Sequence, residues 1–379
     1  MSSSAFAGPL SDLTLFESNA PGTPLCLRIA NGFAARLAAD LGARVVKLEP
    51  ANGDLVRTCA PLLRGGRSDA QSVSALFEFL NCGKSILRLP PDAQEAQNWL
   101  LNSSVDGVFG EQGDPFLDVA RSRGIPTVEI TGFADGAGDR QTVMSEFAAL
   151  ALSGLLDMVG SPDREPLRLG GHQAAYAAGM SAFTAMCALA VGRDLGLPAD
   201  SARVSMVETA LWINWKAMAA AQASGRANSR KGAQAEFQVL RCLDGWVALV
   251  FAPTQFDAVI ALVGDPALTQ PQFQTVSGRA AHRTELFEVL GPWFAQRRVL
   301  DIYSQGQALG VPLGPVRDAA DLLDDPQYLA REFITTLPHA TLGELKMPRL
   351  PVLWGDRIPR PLARTDASLE TLVSELNRA

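Results

Sequence analysis

Residues 32–50, GFAARLAADLGARVVKLEP, decide the fold that this sequence predicts. Residues 32–41 have a helical pattern, Gly42 stands where a glycine commonly ends a helix, and residues 44–48 form an apolar run typical of a strand. Strands that alternate with helices predict a parallel sheet with helices on its faces. The same alternation predicts further strands at 13–16, 85–89, 106–109 and 127–130, and another helix at 93–101.

The middle of the chain is helical and then polar. An alanine-rich helix is predicted to continue from Gly179 to about Gly192, and a second helix is predicted over residues 204–223. Residues 224–235, SGRANSRKGAQA, are small and polar, which is typical of a surface linker.

A β-hairpin is predicted next. Two apolar runs, residues 237–242 and 246–251, flank Asp244-Gly245, and an Asp-Gly turn between apolar runs is a strong hairpin signal. Helices follow at 255–263, 283–295 and 300–309. We therefore predict three regions: a large α/β domain over residues 1–195, a linker helix and loop over 196–234, and a small α+β domain over 235–334.

The composition is that of a globular chain whose charge excludes some partners. The 379 residues are 47% hydrophobic and carry a net charge of -7, with a sequence pI near 5.2. Nucleic acids and anionic membranes require basic patches, so neither is expected as a partner. A small anionic ligand remains compatible with the sequence if local Lys and Arg face it.

Cysteine and histidine usage argues against disulfides and metals. The five cysteines are odd in number, scattered and without CxxC spacing, so we expect reduced thiols in a cytoplasmic protein. The three histidines form no HExxH pattern and lie near no cysteine pair, so no metal is expected.

No segment is predicted to enter or cross a membrane. The N-terminus, MSSSAFAGPL, lacks the basic and apolar regions of a signal peptide. Residues 174–192 are uncharged, but they are mostly Ala, Gly, Ser and Thr, which gain little from hydrocarbon. We interpret this span as a buried core helix.

Motifs of the commoner nucleotide and hydrolase enzymes are absent from the sequence. There is no GxGxxG between a strand and a helix, no P-loop and no GxSxG elbow. NAD-dependent dehydrogenase, NTPase and serine-hydrolase chemistry therefore have no support.

Several segments, in order along the chain, resemble the family III CoA-transferases, the superfamily that includes formyl-CoA and carnitine CoA-transferases and α-methylacyl-CoA racemase. The most informative is SGLLDMVGSPDREPLRLGGHQAAYAAG, residues 153–179. The others are GARVVKLEP at 42–50, FLNCGKSI at 79–86, ITGF at 130–133, VSMVE at 204–208, GVPLGPV at 310–316 and DP with REF at 325–333.

The resemblance implies a fold and an assembly. The large domain would be Rossmann-like and would be completed by residues 335–379, so that the chain forms a ring and two rings interlock as a dimer. CoA or an acyl-CoA would bind as a substrate along the loops after the first strands. The matching positions are Ile29, Ala30, Lys47, Glu49, Pro50, Asn81 and Lys84.

The catalytic position departs from the family pattern. The family places a nucleophilic Asp four residues before the glycine that matches Gly179, and Ala175 occupies that position here. Ser145 stands where the racemases have a His, so racemase chemistry is disfavoured. Glu146 matches an acidic position of the family, and His172 is a candidate general base whose alternative role is to pack against its loop. Arg168 is expected to pair with Asp163 or Glu165.

Three functions remain open. The chain is a CoA-transferase subunit that works in a heteromer with an Asp-bearing homologous chain, an acyl-CoA enzyme that uses Glu146 or His172, or a non-catalytic acyl-CoA-binding protein. The expected partners are an acyl-CoA, a carboxylic acid, and a second chain in a homodimer or heteromer.

Overall fold

The computed structural model describes residues 8–20, 22–64, 72–88, 94–134, 144–197, 200–225, 230, 237–355 and 358–376. The chain forms two compact units. Unit 1 comprises Met1–Arg230 and Ala330–Ala379, and unit 2 comprises Lys231–Leu329.

The strands of the described chain are β1 Thr14–Glu17, β2 Arg44–Glu49, β3 Leu62–Leu63, β4 Val73–Ser74, β5 Lys84–Arg88, β6 Gly107–Glu111, β7 Thr127–Thr131, β8 Ser201–Ser205, β9 Phe237–Arg241, β10 Trp246–Val250, β11 Leu313–Pro315, β12 Ile334–His339, β13 Gly343–Pro348 and β14 Thr365–Ala367. The α-helices are α1 Leu25–Asp40, α2 Ala75–Asn81, α3 Gln94–Asn102, α4 Pro115–Ser122, α5 Glu146–Leu152, α6 Gln173–Asp194, α7 Met206–Ile213, α8 Trp215–Ser224, α9 Phe256–Val263, α10 Val276–Ala281, α11 Arg283–Ala295, α12 Val299–Ala308, α13 Ala319–Leu323, α14 Pro326–Ala330 and α15 Leu369–Leu376.

Unit 1 is built on a seven-stranded sheet in which every neighbouring pair is parallel. The strand order is β14-β5-β2-β1-β6-β7-β8. The five strands predicted from the sequence in this region are confirmed, with ends that differ by one or two residues. The strand order reverses between β1 and β6, and the carboxyl ends of strands at such a point are the usual place for a ligand in open α/β sheets.

Both faces of this sheet are covered, because successive side chains of a strand point to opposite faces. Leu15 packs with α1 and α6 on one face, whereas its neighbour Phe16 packs with Trp99 and Phe116, from α3 and α4, on the other. The unit is therefore a three-layer α/β structure, as the alternation of strands and helices predicts.

Helices α1 and α6 lie close together because of one glycine. A Cβ on Gly179 would lie 2.6 Å from the carbonyl oxygen of Ala30 and 3.1 Å from Phe33. Helix α6 is the one helix of the described chain that is long and apolar enough to span a membrane by length and composition. It buries Ala175, Ala178 and Ala182 against this core, which accounts for its small apolar residues.

Two sequence predictions about helices are wrong. Helix α1 begins at Leu25, with Pro24 at its N-cap, and not at Gly32. The core helix expected over residues 174–192 is confirmed as α6, Gln173–Asp194, so that Gly179 lies inside this helix.

The second error is the single helix predicted over 204–223. Ser201–Ser205 instead forms the edge strand β8 paired with β7, the Ser205 side chain caps α7, and Asn214 separates α7 from α8. Val204 of β8 directly precedes the capping Ser205, so no loop in the sequence separates this strand from α7.

The C-terminal segment joins unit 1. Strands β12 and β13 form an antiparallel hairpin, and β14 pairs in parallel with β5, with Asp366 opposite Ile86. The tail after the small unit thus adds an edge strand to the large sheet.

Unit 2 is a small α+β structure. The predicted hairpin is confirmed, with Trp246 opposite Arg241 on β10 and β9, and β11 adds a third antiparallel strand. Helices α9, α11 and α12 cover one sheet face, burying Val247 and Leu249. The predicted linker at 224–235 lies outside the described residues except for Ser224, Gly225 and Arg230.

Candidate active site at the start of helix α6

A buried carboxylate from one helix caps the start of another. Glu146 is the first residue of α5, which is itself capped by the Ser145 side chain, and its own side chain is 6% exposed. Its Oε1 accepts hydrogen bonds from the backbone N–H groups of Ala174 at 2.9 Å and Ala175 at 3.3 Å. The N-cap of α6, His172, makes no side-chain cap of its own. Glu146 therefore supplies both the acceptor and the negative charge that a helix N-terminus favours.

Two further side chains hold the other oxygen of this carboxylate. His172 Nδ1 lies 3.0 Å from Glu146 Oε2, and Arg168 Nη2 lies 3.6 Å from it. Arg168 also donates to the carbonyl oxygen of Gly171 at 3.0 Å. The expectation that Arg168 pairs with Asp163 or Glu165 is wrong, since Glu165 pairs with Arg164 instead.

Ala175, which the family resemblance places at the nucleophile position, is completely buried in the core between α1 and α6. Its methyl group offers no reactive atom. Its backbone N–H, which could stabilise a carboxylate at this place, already donates to Glu146. The structure thus brings together all three residues that the sequence singled out, Ala175, Glu146 and His172, but as a capped helix start.

The nearby thiol and phenol are held in their neutral forms. Burial, and then the charge of Glu146, raise the pKa of Cys26 to about 11, and its Sγ donates to the carbonyl oxygen of Met144 at 3.9 Å. Burial and Glu146 also raise the pKa of Tyr176. Because a thiolate is the reactive form of cysteine, this shift disfavours Cys26 as a nucleophile.

Lys47 and Lys84, which were expected to contact CoA, form buried ion pairs within the protein. Lys47 Nζ lies 2.6 Å from Glu17 Oε1 and 2.9 Å from Asp54 Oδ2, and Lys84 Nζ lies 2.6 Å from Glu17 Oε2. Both ammonium groups are fully buried. Burial lowers the pKa of Lys84 to about 8 despite the attraction of Glu17. In this conformation neither lysine reaches solvent.

Of the other five residues expected to contact CoA, four are buried. Ile29 and Ala30 are completely buried inside α1 and not in a loop, because the helix begins at Leu25. Asn81 is buried and donates to the carbonyl oxygen of Phe77 at 2.8 Å. Glu49 is also buried, bonded to Arg57, and Pro50 alone of the five is partly exposed.

A cluster of buried polar side chains lies at the carboxyl ends of β1 and β6, where the strand order reverses. Burial raises the pKa of Glu111 to about 8, with Arg28 opposing and Asp114 adding to the shift. Asp114, bonded to Ser18, has its pKa raised to about 6 by burial. The N–H of Ala20 donates to Glu111 Oε2 at 2.9 Å. These buried polar side chains lie where this fold class commonly holds a ligand.

Sequence reasoning missed the partners of these groups. Glu17, which joins both lysines, is 30 residues from Lys47 and 67 from Lys84. No spacing rule connects residues so far apart, and the only sequence signal is a lysine in or beside a predicted buried strand. Among the described residues, no group of three or more His, Cys, Asp or Glu could hold a metal ion.

The three-layer sheet unit and the small α+β unit define an α/β protein with a small antiparallel side unit. Residues 24–102 and 120–364 match the sequence model of CoA-transferase family III. The chain belongs to this family.

Characterised relatives and a solved structure agree with this membership. The chain is 26% identical over 367 residues to succinyl-CoA--D-citramalate CoA-transferase of Chloroflexus aurantiacus, covering 92% of this chain and 88% of the relative. It is 26% identical over 344 residues to acetyl-CoA:oxalate CoA-transferase of Acetobacter aceti, covering 86% and 85%. A CAIB/BAIF family protein from Brucella suis has a similar fold, with a TM-score of 0.80, 23% identity, and coverage of 98% and 100%.

Proposed function

We propose that this chain works on acyl-CoA thioesters and carboxylic acids as one subunit of a heteromeric CoA-transferase, whose nucleophile is an aspartate of a homologous partner chain. Family membership supports the reaction class, and the relatives from Chloroflexus aurantiacus and Acetobacter aceti named above are CoA-transferases. Coenzyme A enters as a substrate thioester, and no metal is required.

One observation carries the subunit proposal: the buried methyl group of Ala175 at the position of the family nucleophile. In the family reaction a carboxylate attacks the thioester carbonyl, the CoA thiolate leaves, and a mixed anhydride forms. The thiolate then attacks the enzyme carbonyl of that anhydride, giving an enzyme thioester and releasing the first acid. Alanine can perform neither step, so in this proposal a homologous chain provides the carboxylate.

The second candidate, an acyl-CoA enzyme using Glu146 or His172, rests on the 3.0 Å contact between these side chains. Such a pair could hold or move a proton. Against a nucleophilic Glu146, both of its oxygens are already bonded and its side chain is almost fully buried. The third candidate is a non-catalytic acyl-CoA-binding protein. It would have the same site geometry as the second candidate but would not turn over a thioester.

The contact with CoA is part of the same proposal. Lys47 and Lys84 would have to leave the carboxylate of Glu17 to touch a phosphate. We therefore assign both lysines to structural ion pairs: Lys84 holds Glu17, and Lys47 joins Glu17 to Asp54 in the segment that follows β2. The proposed assembly is the interlocked dimer of ring-shaped chains that the family resemblance implies.

Turnover of separate and combined chains tests the proposal. The purified chain, and the chain co-expressed with an Asp-bearing homologue from a neighbouring reading frame, are assayed with succinyl-CoA and a panel of carboxylic acids by liquid chromatography. We expect transfer by the pair and none by this chain alone. Transfer by this chain alone that is lost in Glu146→Gln would establish the second candidate, and thioester binding without transfer in either sample would establish the third.

A further inference from the structure

Arg168 is a half-exposed cation at the edge of the candidate site, and the contacts within the site use only part of it. Its side chain is 50% exposed. Its contacts with the carbonyl oxygen of Gly171 and with Glu146 Oε2 both involve Nη2. Among the described residues, Nε and Nη1 of this side chain have no partner. Because a guanidinium carries five N–H donors, most of the donors of Arg168 are open to a ligand.

The loop that carries Arg168 is anchored although most of it is exposed. Arg230, whose own side chain is only 8% exposed, forms an ion pair with Asp157. Its Nη2 donates to the carbonyl oxygen of Arg164 at 3.1 Å, and its Nη1 donates to that of Asp157 at 3.3 Å. Ordering a loop opposes binding, so a loop that is already held leaves less entropy to lose. Residues that bind ligands are often on such positioned surface loops.

Open space lies beside the Arg168 guanidinium. A Cβ on Gly170 would meet no atom of the described chain within 4 Å, apart from its chain neighbours. A Cβ on Gly171 would meet only Gln173 Nε2, at 3.7 Å. The carbonyl group of Gly171 is the one that Arg168 contacts. A small planar group can therefore approach the arginine over these two glycines without displacing a side chain.

The charges around Arg168 are compatible with an anionic ligand. Among the described residues, Glu146 is the only acid within ion-pair distance of Arg168, and His172 Nδ1 contacts the same carboxylate oxygen. Ala175 adds no charge beside Glu146, whereas the aspartate that the family resemblance implies at this position would add a second carboxylate. Because like charges close together repel, the absence of that aspartate makes the site more favourable for an incoming carboxylate.

We propose that Arg168 binds the carboxylate of a carboxylic acid, so that the site of this chain holds an acid that it does not convert. This inference rests on the proposed function and names the class of ligand at the start of α6. The open N–H groups on Nε and Nη1 would donate charge-assisted hydrogen bonds to the carboxylate oxygens. No bond forms or breaks, and the acid leaves unchanged. In the proposed heteromer this chain would therefore be a subunit that binds the acid without transferring CoA to it.

A ligand-observed NMR titration of the purified full-length chain with succinate tests the proposal. We expect a dissociation constant on the order of 1 mM, and no measurable binding of succinamide, the neutral amide of the same shape. Arg168→Gln should weaken succinate binding at least about tenfold, and Arg168→Lys, which keeps the charge without the planar fork, about threefold. Arg164→Gln, at a 72% exposed arginine of the same loop, is the matched control and should change binding less than about twofold.

Circular dichroism melting separates loss of binding from loss of folding. Because Arg168 is half exposed, both of its variants should melt close to wild type, and Arg168→Lys also keeps a cation beside Glu146. Absence of succinate binding in wild type, or equal binding by Arg168→Gln and Arg164→Gln, would overturn the proposal. Binding of inorganic phosphate as tight as that of succinate would overturn the assignment to a carboxylate.

The free end of succinyl-CoA is a second source of the same carboxylate. Binding of succinyl-CoA that depends on Arg168, without any binding of succinate, would assign the residue to the thioester and overturn the proposal. Acetyl-CoA, which has no free carboxylate, is the control ligand for this comparison. All of these measurements use the single chain and require no turnover. Succinate binding that depends on Arg168, found together with no transfer by the co-expressed pair, would refute the proposed function and support this site.

Discussion

The carboxylate of Glu146 accepts a hydrogen bond from the backbone N–H of Ala175, at 3.3 Å. The charge at the start of α6 therefore comes from α5, a separate helix, and not from a side chain at position 175. Glu146, which the sequence offers as an alternative catalytic residue, caps helix α6. The start of α6 thus keeps a carboxylate although position 175 supplies none.

Glu146→Ala should destabilise the protein by about 2–3 kcal/mol, because it removes a helix cap and leaves two N–H donors without their acceptor. Urea unfolding followed by circular dichroism measures the loss. Glu165→Ala removes the same side chain from an exposed loop and should change the free energy of unfolding by less than about 0.5 kcal/mol. Equal stability of the two variants would mean that Glu146 does not cap α6.

Glu111 should make stability depend on pH. Its folded pKa of about 8 lies above the ordinary value of 4.5. Between these values the unfolded chain has lost a proton that the folded chain keeps, so the free energy of unfolding falls as pH rises. Glu111→Gln removes this dependence. The free energy of unfolding of the variant, relative to that of wild type, should therefore increase by on the order of 2 kcal/mol from pH 5 to pH 8.

Urea unfolding at pH 5, 6, 7 and 8 measures this difference. Glu95→Gln, at an exposed position of α3, should follow the wild-type curve. Asp114, with its pKa near 6, contributes a slope of the same sign in every variant. Parallel curves for wild type and Glu111→Gln would show that the buried carboxyl ionises normally.

Lys84→Met should lower the free energy of unfolding by about 3 kcal/mol, because it breaks a buried ion pair with Glu17. Calorimetry should meanwhile show CoA binding in the micromolar range, about -8 kcal/mol, for both wild type and this variant. Lys346→Met, at an exposed lysine of β13, is the control for loss of positive charge. A stable Lys84→Met variant that no longer binds CoA would show that Lys84 contacts a CoA phosphate.

Ala175→Asp should create a chain that forms a covalent enzyme thioester with CoA, because it restores a carboxylate at the family's nucleophile position, close to the positive end of the α6 dipole. It should also cost on the order of 1–3 kcal/mol, because two carboxylates would lie together in a buried site. Mass spectrometry after incubation with an acyl-CoA detects the adduct. Gln173→Asp adds the same charge at an exposed position of the same helix turn and should form none.

The parts of the fold with local signals could be predicted from the sequence. The strands of the large sheet are short apolar runs bounded by helices, and the Asp244-Gly245 turn fixed the register of the hairpin. The start of α1 could not be predicted in this way. Gly32 looked like a helix boundary, but it lies inside a longer helix that begins after Pro24, packed against α6.

The candidate site could be located from the sequence but not described. The order of family-like segments identified Ala175, Glu146 and His172, and these residues do lie together. The burial of Lys47 and Lys84 against Glu17 depends on contacts between distant segments, for which the sequence has no periodic signal. The partner of Arg168 was missed for the same reason.

The most direct test of the central claim is to find where the covalent intermediate forms. The complex of this chain with an Asp-bearing homologue is incubated with succinyl-CoA and quenched, and both chains are analysed by intact-mass and peptide mass spectrometry. We predict a CoA adduct on the aspartate of the homologue and none on this chain. An adduct on Glu146 of this chain, or turnover by this chain alone, would contradict the account.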